Sequence, residues 1–321
     1  MPVFRSAVMA AACLSFALIA APAGAQTYPN QVVRIVVPFS AGSATDTLAR
    51  TLAERLSDKW KQQVVVENRP GLPGTTSVAK SAPDGYTLML TSNGHTVARA
   101  VNKELPFDPV KDFVGITQVA TVPLVLILNP EVPAKNLEEF IAHAKKMPGK
   151  LNFASPGLGS TTFIAAALFR DATKLDLVHV PYKGAPESVT SVIRGDTHMY
   201  FNPVNVSAEL MESGKVRAIA VATEKRVPTL KDVPTLDEAG LKGFTYNSWF
   251  GLMAPAGTPK EIVDKVNADT VAAMQDQALQ DRLAKQGIVV MTNSPAEFDG
   301  IIKADTERYT KIFQEAGIGA K

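Results

Sequence analysis

Short apolar runs alternate with amphipathic helical patterns along this chain, and this alternation constrains its fold more than any other feature. The runs at 32–39, 64–68 and 86–92 are rich in β-branched residues and are bounded by Gly, Pro or Asn, as buried strands are. Between the first two runs, Leu recurs every four residues from 48 to 56, which predicts a helix with one apolar face. The series predicts βαβ units and mainly parallel sheets.

The same alternation continues through the rest of the chain and predicts two α/β halves. Further strands are predicted at 124–129, 151–155, 177–182, 218–223 and 248–255, and helices at 136–146, 160–170, 259–286 and 294–315. Residues 224–245 contain two Pro and two Gly residues and predict an irregular connection. The last helix should begin with a cap, because Ser294 and Pro295 precede Glu297.

The first 25 residues have the layout of a secretory signal peptide. An Arg precedes an apolar stretch from about Ala7 to Ala20, and Ala23-Gly24-Ala25 is a small-residue cleavage pattern. The stretch is short for a membrane span, although an uncleaved anchor is the alternative. Cys13, the only cysteine, lies inside this stretch, so the mature chain has no disulfide. We therefore expect a soluble protein exported to the periplasm, with cleavage near Ala25.

Charge and motif content exclude several classes of function. The 33 basic and 31 acidic residues give a net charge of +2, which offers no field for nucleic acid or an anionic membrane. The sequence has no P-loop, no dinucleotide-binding glycine motif, no G-x-S-x-G nucleophile elbow and no zinc-site spacing. We expect neither a metal nor a cofactor. The hydrophobic content of 46% indicates a well-packed core, and the length of 321 residues suggests two domains or one large one.

Small, uncharged residues occupy two loops that each lead from a strand into a helix. Residues 39–46 read "FSAGSATD" and residues 155–162 read "SPGLGSTT". The first N–H groups of a helix have no partner within it and attract anions. Because ligands of open α/β sheets bind beyond the carboxyl ends of the strands, both loops are expected to face one cleft. An ordinary tight turn is the alternative for either loop taken singly.

Histidine placement decides whether these loops are catalytic. Ser43 or Ser160 is a candidate nucleophile only if a histidine lies close to it. His95 follows a strand directly and is a candidate for the cleft, whereas His179 lies in an apolar strand and is expected to be packed and hydrogen-bonded. We therefore favour binding over catalysis, with a secreted serine hydrolase as an alternative.

Longer motifs together resemble one protein family. "YPNQVVRIVVPFSAGSATDTLAR", "VVVENRPG", "APDGYTLML", "HVPYKGA", "KVRAIAVATEKR" and "LMAPAGTP" resemble the tripartite tricarboxylate transporter receptors, also called Bordetella uptake gene receptors. The resemblance covers residues 28–318 in family order. It implies a two-domain periplasmic binding protein with a type II-like clamshell fold, whose cleft closes over a small organic carboxylate.

The resemblance also implies domain boundaries and partners. Domain 1 is expected at 26–123 plus about 246–290 and domain 2 at 124–245, while residues 291–321 form a C-terminal helix that we assign to neither. We expect a monomer that delivers its carboxylate to membrane transporter subunits and does not bind nucleic acid. A sensor subunit that presents the ligand to a signalling partner is the alternative, because it would use the same clamshell.

The site implied by the resemblance holds the carboxylate between the two loops. The expected ligand-binding residues are Phe39, Ser40, Ala41, Gly42, Ser43, Thr45, Asp46, His95, Ser155, Gly157, Gly159, Ser160, Thr161, Thr162, Lys183 and Asn202. This chain has Ser43 where the family often has a second glycine, and Phe163 where it often has histidine. Phe163 either makes the pocket edge more apolar or belongs to the core. Citrate-like, dicarboxylic, amino-acid and aromatic ligands all remain open.

Overall fold

The computed structural model describes residues 28–102 and 104–315. The predicted signal peptide and residues 316–321 of the predicted C-terminal segment lie outside this part of the chain. Within the described residues, no helix combines the length and apolar character needed to cross a bilayer.

The strands and helices alternate along most of the chain. The strands are β1 (Val33–Val37), β2 (Val64–Asn68), β3 (Thr87–Ser92), β4 (Phe113–Thr121), β5 (Leu124–Leu128), β6 (Asn152–Ser155), β7 (Val178–Pro181), β8 (Met199–Pro203), β9 (Arg217–Val221), β10 (Phe250–Pro255) and β11 (Val289–Val290). The helices are α1 (Ala44–Trp60), α2 (Leu72–Ala79), α3 (Ala98–Val101), α4 (Leu137–Lys145), α5 (Thr161–Thr173), α6 (Ala185–Arg194), α7 (Val204–Glu212), α8 (Lys260–Met274), α9 (Gln277–Ala284) and α10 (Pro295–Glu315), with short 3-10 turns at Asn93–His95 and Pro228–Leu230.

The strands form two sheets, as the α/β pattern predicts. The first sheet has the order β11-β4-β10-β3-β1-β2 and the second has the order β7-β6-β8-β5-β9. Both are mixed sheets, so the expectation of mainly parallel sheets is wrong. In the first sheet, β1 pairs in parallel with β2 and β3, whereas β10 is antiparallel to both of its neighbours. In the second, β5 is antiparallel to β8 and β9.

The reversed strands β5 and β10 have a common cause in the path of the chain, whereas β11, which is antiparallel to β4, follows β10 through α8 and α9. Sheet membership changes between β4 and β5 and changes back between β9 and β10. Each sheet thus receives one strand that arrives from the other sheet, and that strand enters against the direction of the strands supplied by βα units. Ser248 ties the two crossing segments together, because its hydroxyl accepts from the N–H of Val122 (3.1 Å) and donates to the Val122 carbonyl (2.7 Å).

Several elements differ from the sequence prediction. The nine-residue strand β4 was not predicted. The helix predicted at 259–286 is broken into α8 and α9, because the Asp276 side chain accepts from the N–H of Leu279 and caps a new helix. The helix α2, which begins at Leu72 and Pro73, was not predicted either. The capping box at the start of α10 is confirmed: the Ser294 hydroxyl accepts from the N–H of Glu297, and the Glu297 carboxylate accepts from the N–H of Ser294.

The C-terminal helix α10 packs against both sheets. Near its start, the rings of Phe298 and Trp249 lie 5.1 Å apart, edge to face, in a core cluster of the first sheet. Near its end, Phe313 and Phe163 lie 5.7 Å apart in the core of the second sheet. The helix therefore forms a third connection between the two sheets, in addition to the crossing segments.

Candidate carboxylate-binding site

The first loop, residues 39–46, is fixed at both ends by side chains. The Asp46 carboxylate accepts from the N–H of Gly42 (2.8 Å) and from the amide of Asn68 (2.9 Å). The same Asn68 amide donates to the Phe39 carbonyl (3.2 Å). Asp46 and Asn68 thus hold the loop in one conformation. Asn68 was not predicted as a site residue, because it reaches the first loop only through the pairing of β2 with β1.

A cation lies near this loop, but it is already paired. Arg50, one turn further along α1, lies 3.0 Å from the Asp46 carboxylate and also donates to Asn68. Burial disfavours the charged form of Asp46, yet hydrogen bonds from Arg50, Gly42 and Asn68 outweigh it and lower the pKa of this carboxyl. The charges of Asp46 and Arg50 cancel locally. The loop therefore presents hydrogen-bond donors to an anion but carries no net charge.

The N-terminus of α1 carries the donors. Ser43 is the N-cap and accepts from the N–H of Asp46 (3.2 Å), while the N–H of Thr47 bonds to the Ser43 carbonyl. The N–H groups of Ala44 and Thr45 precede these and have no acceptor within the helix. Ser40, Ala41, Gly42 and Ala44 are exposed, whereas the side chains of Thr45 and Asp46 are buried. The exposed backbone of the loop is therefore the part that a ligand can reach.

The second loop, residues 155–162, has the same design. Ser160 is the N-cap of α5: its hydroxyl accepts from the N–H of Phe163 (3.2 Å) and donates to the Gly157 carbonyl (2.8 Å). Gly157 has a φ of 129°, a conformation that residues with a side chain rarely adopt. The N–H groups of Thr161 and Thr162 occupy the first two helical positions, where no intrahelical acceptor exists.

A hydrogen-bonded pair of the buried Ser155 and the half-buried His179 supports the second loop. The Ser155 hydroxyl lies 2.7 Å from Nε2 of His179 and accepts from the N–H of Gly157 (3.1 Å). The His179 ring packs on Phe153 and Phe163, and burial lowers the pKa of His179 to about 4. The expectation of a packed, hydrogen-bonded His179 is confirmed. Its partner is a serine that the sequence analysis placed against the ligand.

The two loops belong to different sheets, and the second loop closely approaches the 3-10 turn Asn93–His95, which follows β3 of the first sheet. A Cβ atom built on Gly94, in the 3-10 turn after β3, would lie 3.2 Å from the carbonyl carbon of Gly159 and closer to its oxygen. Only a glycine therefore fits at position 94 in this arrangement. Phe39 of the first loop and Gly159 of the second line one cavity of about 230 Å³, together with His95. We call it the His95 cavity.

The imidazole of His95 is part of the wall of this cavity and is already bonded. Its Nε2 lies 2.7 Å from the Pro109 carbonyl, and its ring packs on Phe107 and Phe113. Burial lowers the pKa of His95 to about 4, so the ring is neutral at pH 7. It supplies no positive charge to a ligand.

A larger cavity of about 490 Å³ lies on the other side of the first loop. Gly42 and Ala44 at the N-terminus of α1 form one wall, and Pro186 and Asn202 from the second-sheet side form the opposite one. Asn202 is buried, and its amide donates to the hydroxyl of Ser207 (2.8 Å). We call this space the Asn202 cavity.

The remaining predicted residues lie elsewhere. Lys183 is exposed and lines neither cavity. Phe163 is buried and packs on Phe153 and Phe313, which settles its place in the core. In the part of the chain that the structure describes, the hydroxyls of Ser43 and Ser160 bond only to backbone groups and to Thr162, and neither contacts a histidine.

This fold and this pair of loops define the class of two-sheet α/β solute-binding proteins. Residues 48–318 match the family described as the tripartite tricarboxylate transporter family receptor, and the chain belongs to that family. It is 35% identical to the protein BugT of Bordetella pertussis over 94% of each chain.

Solved structures of related proteins have the same fold as this chain. The structure described as R. palustris Rpa4515 with adipate has a TM-score of 0.79 and 34% identity, with 92% of this chain and 100% of that chain covered. MatC of Rhodopseudomonas palustris with bound malate has a TM-score of 0.77 and 32% identity, with 89% and 99% covered. A periplasmic binding protein, BugD, has a TM-score of 0.77 and 34% identity, with 92% and 100% covered.

Proposed function

We propose that this protein is a periplasmic receptor that captures a small organic carboxylate between its two loops and delivers it to a tripartite tricarboxylate-type membrane transporter. The observation that carries this proposal is the pair of serine-capped helix N-termini, α1 and α5, one from each sheet, whose loops line one cavity through Phe39 and Gly159. Family membership and the adipate and malate in two related structures support the choice of a carboxylate.

Hydrogen-bond donors without a paired cation suit a receptor that must release its ligand. A carboxylate at these helix N-termini would accept from the N–H groups of Ala44, Thr45, Thr161 and Thr162. A helix N-terminus contributes about 0.3–1 kcal/mol to an exposed anion and more where water is excluded. A bidentate arginine would bind more strongly and would slow release. Neither Arg50, which is paired with Asp46, nor exposed Lys183 supplies such a clamp.

The receptor is expected to work as two lobes that close on the ligand. We assign each sheet with its flanking helices to one lobe, with crossings near residues 123 and 246, and the signal peptide to residues 1–25. Because each lobe supplies one loop, the ligand bridges the lobes and favours the closed form.

A screen of carboxylates by thermal unfolding tests this function. A ligand at about 100 times its Kd adds about 2.7 kcal/mol of stability, which corresponds to a rise of about 4 °C in Tm for a chain of this size. The matched control is the primary amide of each acid, which has the same shape without the charge. A carboxylate that stabilises the protein while its amide does not supports the proposal. A panel of organic acids that leaves Tm unchanged would refute it.

A further inference from the structure

We propose that the ligand is a monocarboxylate with an apolar aliphatic or aromatic body, and that this body occupies the Asn202 cavity. This inference rests on the proposed function, because it takes the carboxylate to lie at the helix N-termini. It specifies the chemistry of the part of the ligand that lies beyond the carboxylate. It thereby reduces the number of ligand classes that the sequence left open.

The position of the cavity points to it as the place for the ligand body. Gly42 and Ala44 line it, and the unpaired N–H of Ala44 lies at the first position of α1. A substituent on a carboxylate bound at this N-terminus enters the cavity directly. The opposite wall comes from Pro186 and Asn202 on the second-sheet side, so a body that fills the cavity touches both sides.

The lining of the cavity is apolar and carries no charge. Its larger side chains include Val122, Val189 and Ile288, and its polar ones are Thr47, Asn202 and Gln286. None of the described residues that line it is ionisable. A second carboxylate placed there would lose its water without gaining a cation, which is strongly unfavourable. An apolar body would instead gain from leaving water.

The basic side chains nearest in sequence to the lining residues do not supply a positive charge to the Asn202 cavity. Arg50 is paired with Asp46, Lys183 lines neither cavity, and Lys285 lines a separate cavity beside Pro123. The His95 cavity offers no alternative site for a second carboxylate, since burial keeps the His95 imidazole neutral.

An exposed valine at the cavity marks the surface that the ligand body would cover. Val206, in the first turn of α7, is 46% exposed although it is a large apolar residue. Apolar surface of this kind at a concave site is typical of a place that a ligand or partner covers.

Two matched pairs of acids test the inference on the purified protein by calorimetry: hexanoate against adipate, and benzoate against terephthalate. Adipate has a carboxylate in place of the terminal methyl group of hexanoate, and terephthalate has a second carboxylate on the ring of benzoate. We expect each monocarboxylate to bind at least tenfold more tightly than its partner. Equal or tighter binding of both dicarboxylates overturns the inference and leaves the proposed function standing. Binding of none of the four, together with a negative carboxylate screen, overturns both.

A charge introduced at the cavity gives a second, independent test. Val206→Lys places an ammonium group at the lining and should shift the ratio of adipate to hexanoate affinity at least tenfold towards adipate. The control is Val178→Lys, at a valine of β7 that is also 46% exposed but lines neither cavity. We expect the control to leave the ratio unchanged. The same change in both variants, or none in Val206→Lys, would overturn the assignment of the ligand body to this cavity.

Discussion

Replacing Gly94 by alanine should weaken ligand binding without weakening the fold. The backbone at Gly94 does not have a positive φ, so alanine is compatible with its conformation. What the added methyl group meets is the carbonyl of Gly159 in the second loop, whose carbon lies 3.2 Å from the position of the new Cβ. The substitution therefore acts on the contact between this 3-10 turn and the second loop, and not on the conformation of the turn itself.

The size of the effect follows from this geometry. Carbon and oxygen atoms pack at about 3.5 Å, and the C=O bond of about 1.2 Å places the oxygen nearer to Gly94 than the carbon. The 3-10 turn and the second loop must therefore separate by about 1 Å to accept the methyl group. Overpacking of this kind costs about 1–3 kcal/mol, which corresponds to a loss of affinity between about fivefold and about a hundredfold. The ligand-free protein relieves the clash by opening.

Calorimetry with the carboxylate that binds most tightly measures the affinity. Thermal unfolding of the ligand-free protein measures the stability of the fold separately. Gly300→Ala is the control, because a Cβ at this position of α10 meets no atom within 4 Å. We expect Gly94→Ala to lose affinity while its ligand-free Tm stays within about 2 °C of the original. Unchanged affinity would show that the 3-10 turn and the second loop do not touch in the bound state. An equal loss of ligand-free stability would show that the contact belongs to the fold and not to closure.

Four further predictions concern the loops and the buried histidine. Asp46→Asn should weaken binding about tenfold by calorimetry, because it loses the charge that holds Gly42 and Arg50, whereas Asp58→Asn, exposed on the same helix, should have no effect. Gly157→Val should cost about 1–3 kcal/mol in loop conformation and lower affinity accordingly, since its φ of 129° excludes valine; unaltered binding would contradict this. Lys183→Ala should bind within about tenfold of the original protein, and loss of binding would mean that a charged side chain holds the anion. The pKa of His95 is about 4 in the folded protein, below its unfolded value of about 6.5. The free energy of unfolding should therefore fall as the pH drops from about 6.5 to 4, by up to about 1.4 kcal/mol per pH unit. A His95→Gln variant whose free energy of unfolding, measured by chemical denaturation, has the same slope against pH would refute this.

The parts of the fold that the sequence predicted are those set by local chemistry. The β-branched runs, the Leu spacing of α1 and the capping box at Ser294 depend on neighbours in sequence, and each is present. The strand β4 was missed because Gly115, Thr117 and Gln118 interrupt its apolar pattern. These residues are accommodated by partners far away in the chain: Gly115 lets Phe298 pack closely, and Thr117 and Gln118 bond to Asn293.

The candidate site shows the same division between local and distant effects. Both loops and their serine caps could be read from single stretches of sequence, because a cap and its helix are adjacent. The roles of the supporting residues could not be. Asn68 reaches the first loop from β2, and His179 reaches Ser155 from β7, so each pairing depends on which strands become neighbours. The mixed direction of the sheets was missed for the same reason.

Helix α10 packs against both sheets, and this packing restricts how the proposed lobes of the receptor open. Two lobes joined only by two adjacent crossing strands would rotate freely about an axis through those strands. A helix of 21 residues is a rod about 30 Å long, and its two ends are anchored by Phe298 and Phe313 in different cores. In the proposed two-lobe motion, opening must therefore bend this helix or slide one of its ends within its aromatic packing. The rod thus limits both the amplitude and the direction of the motion, and residues far from the cleft contribute to how readily the ligand leaves.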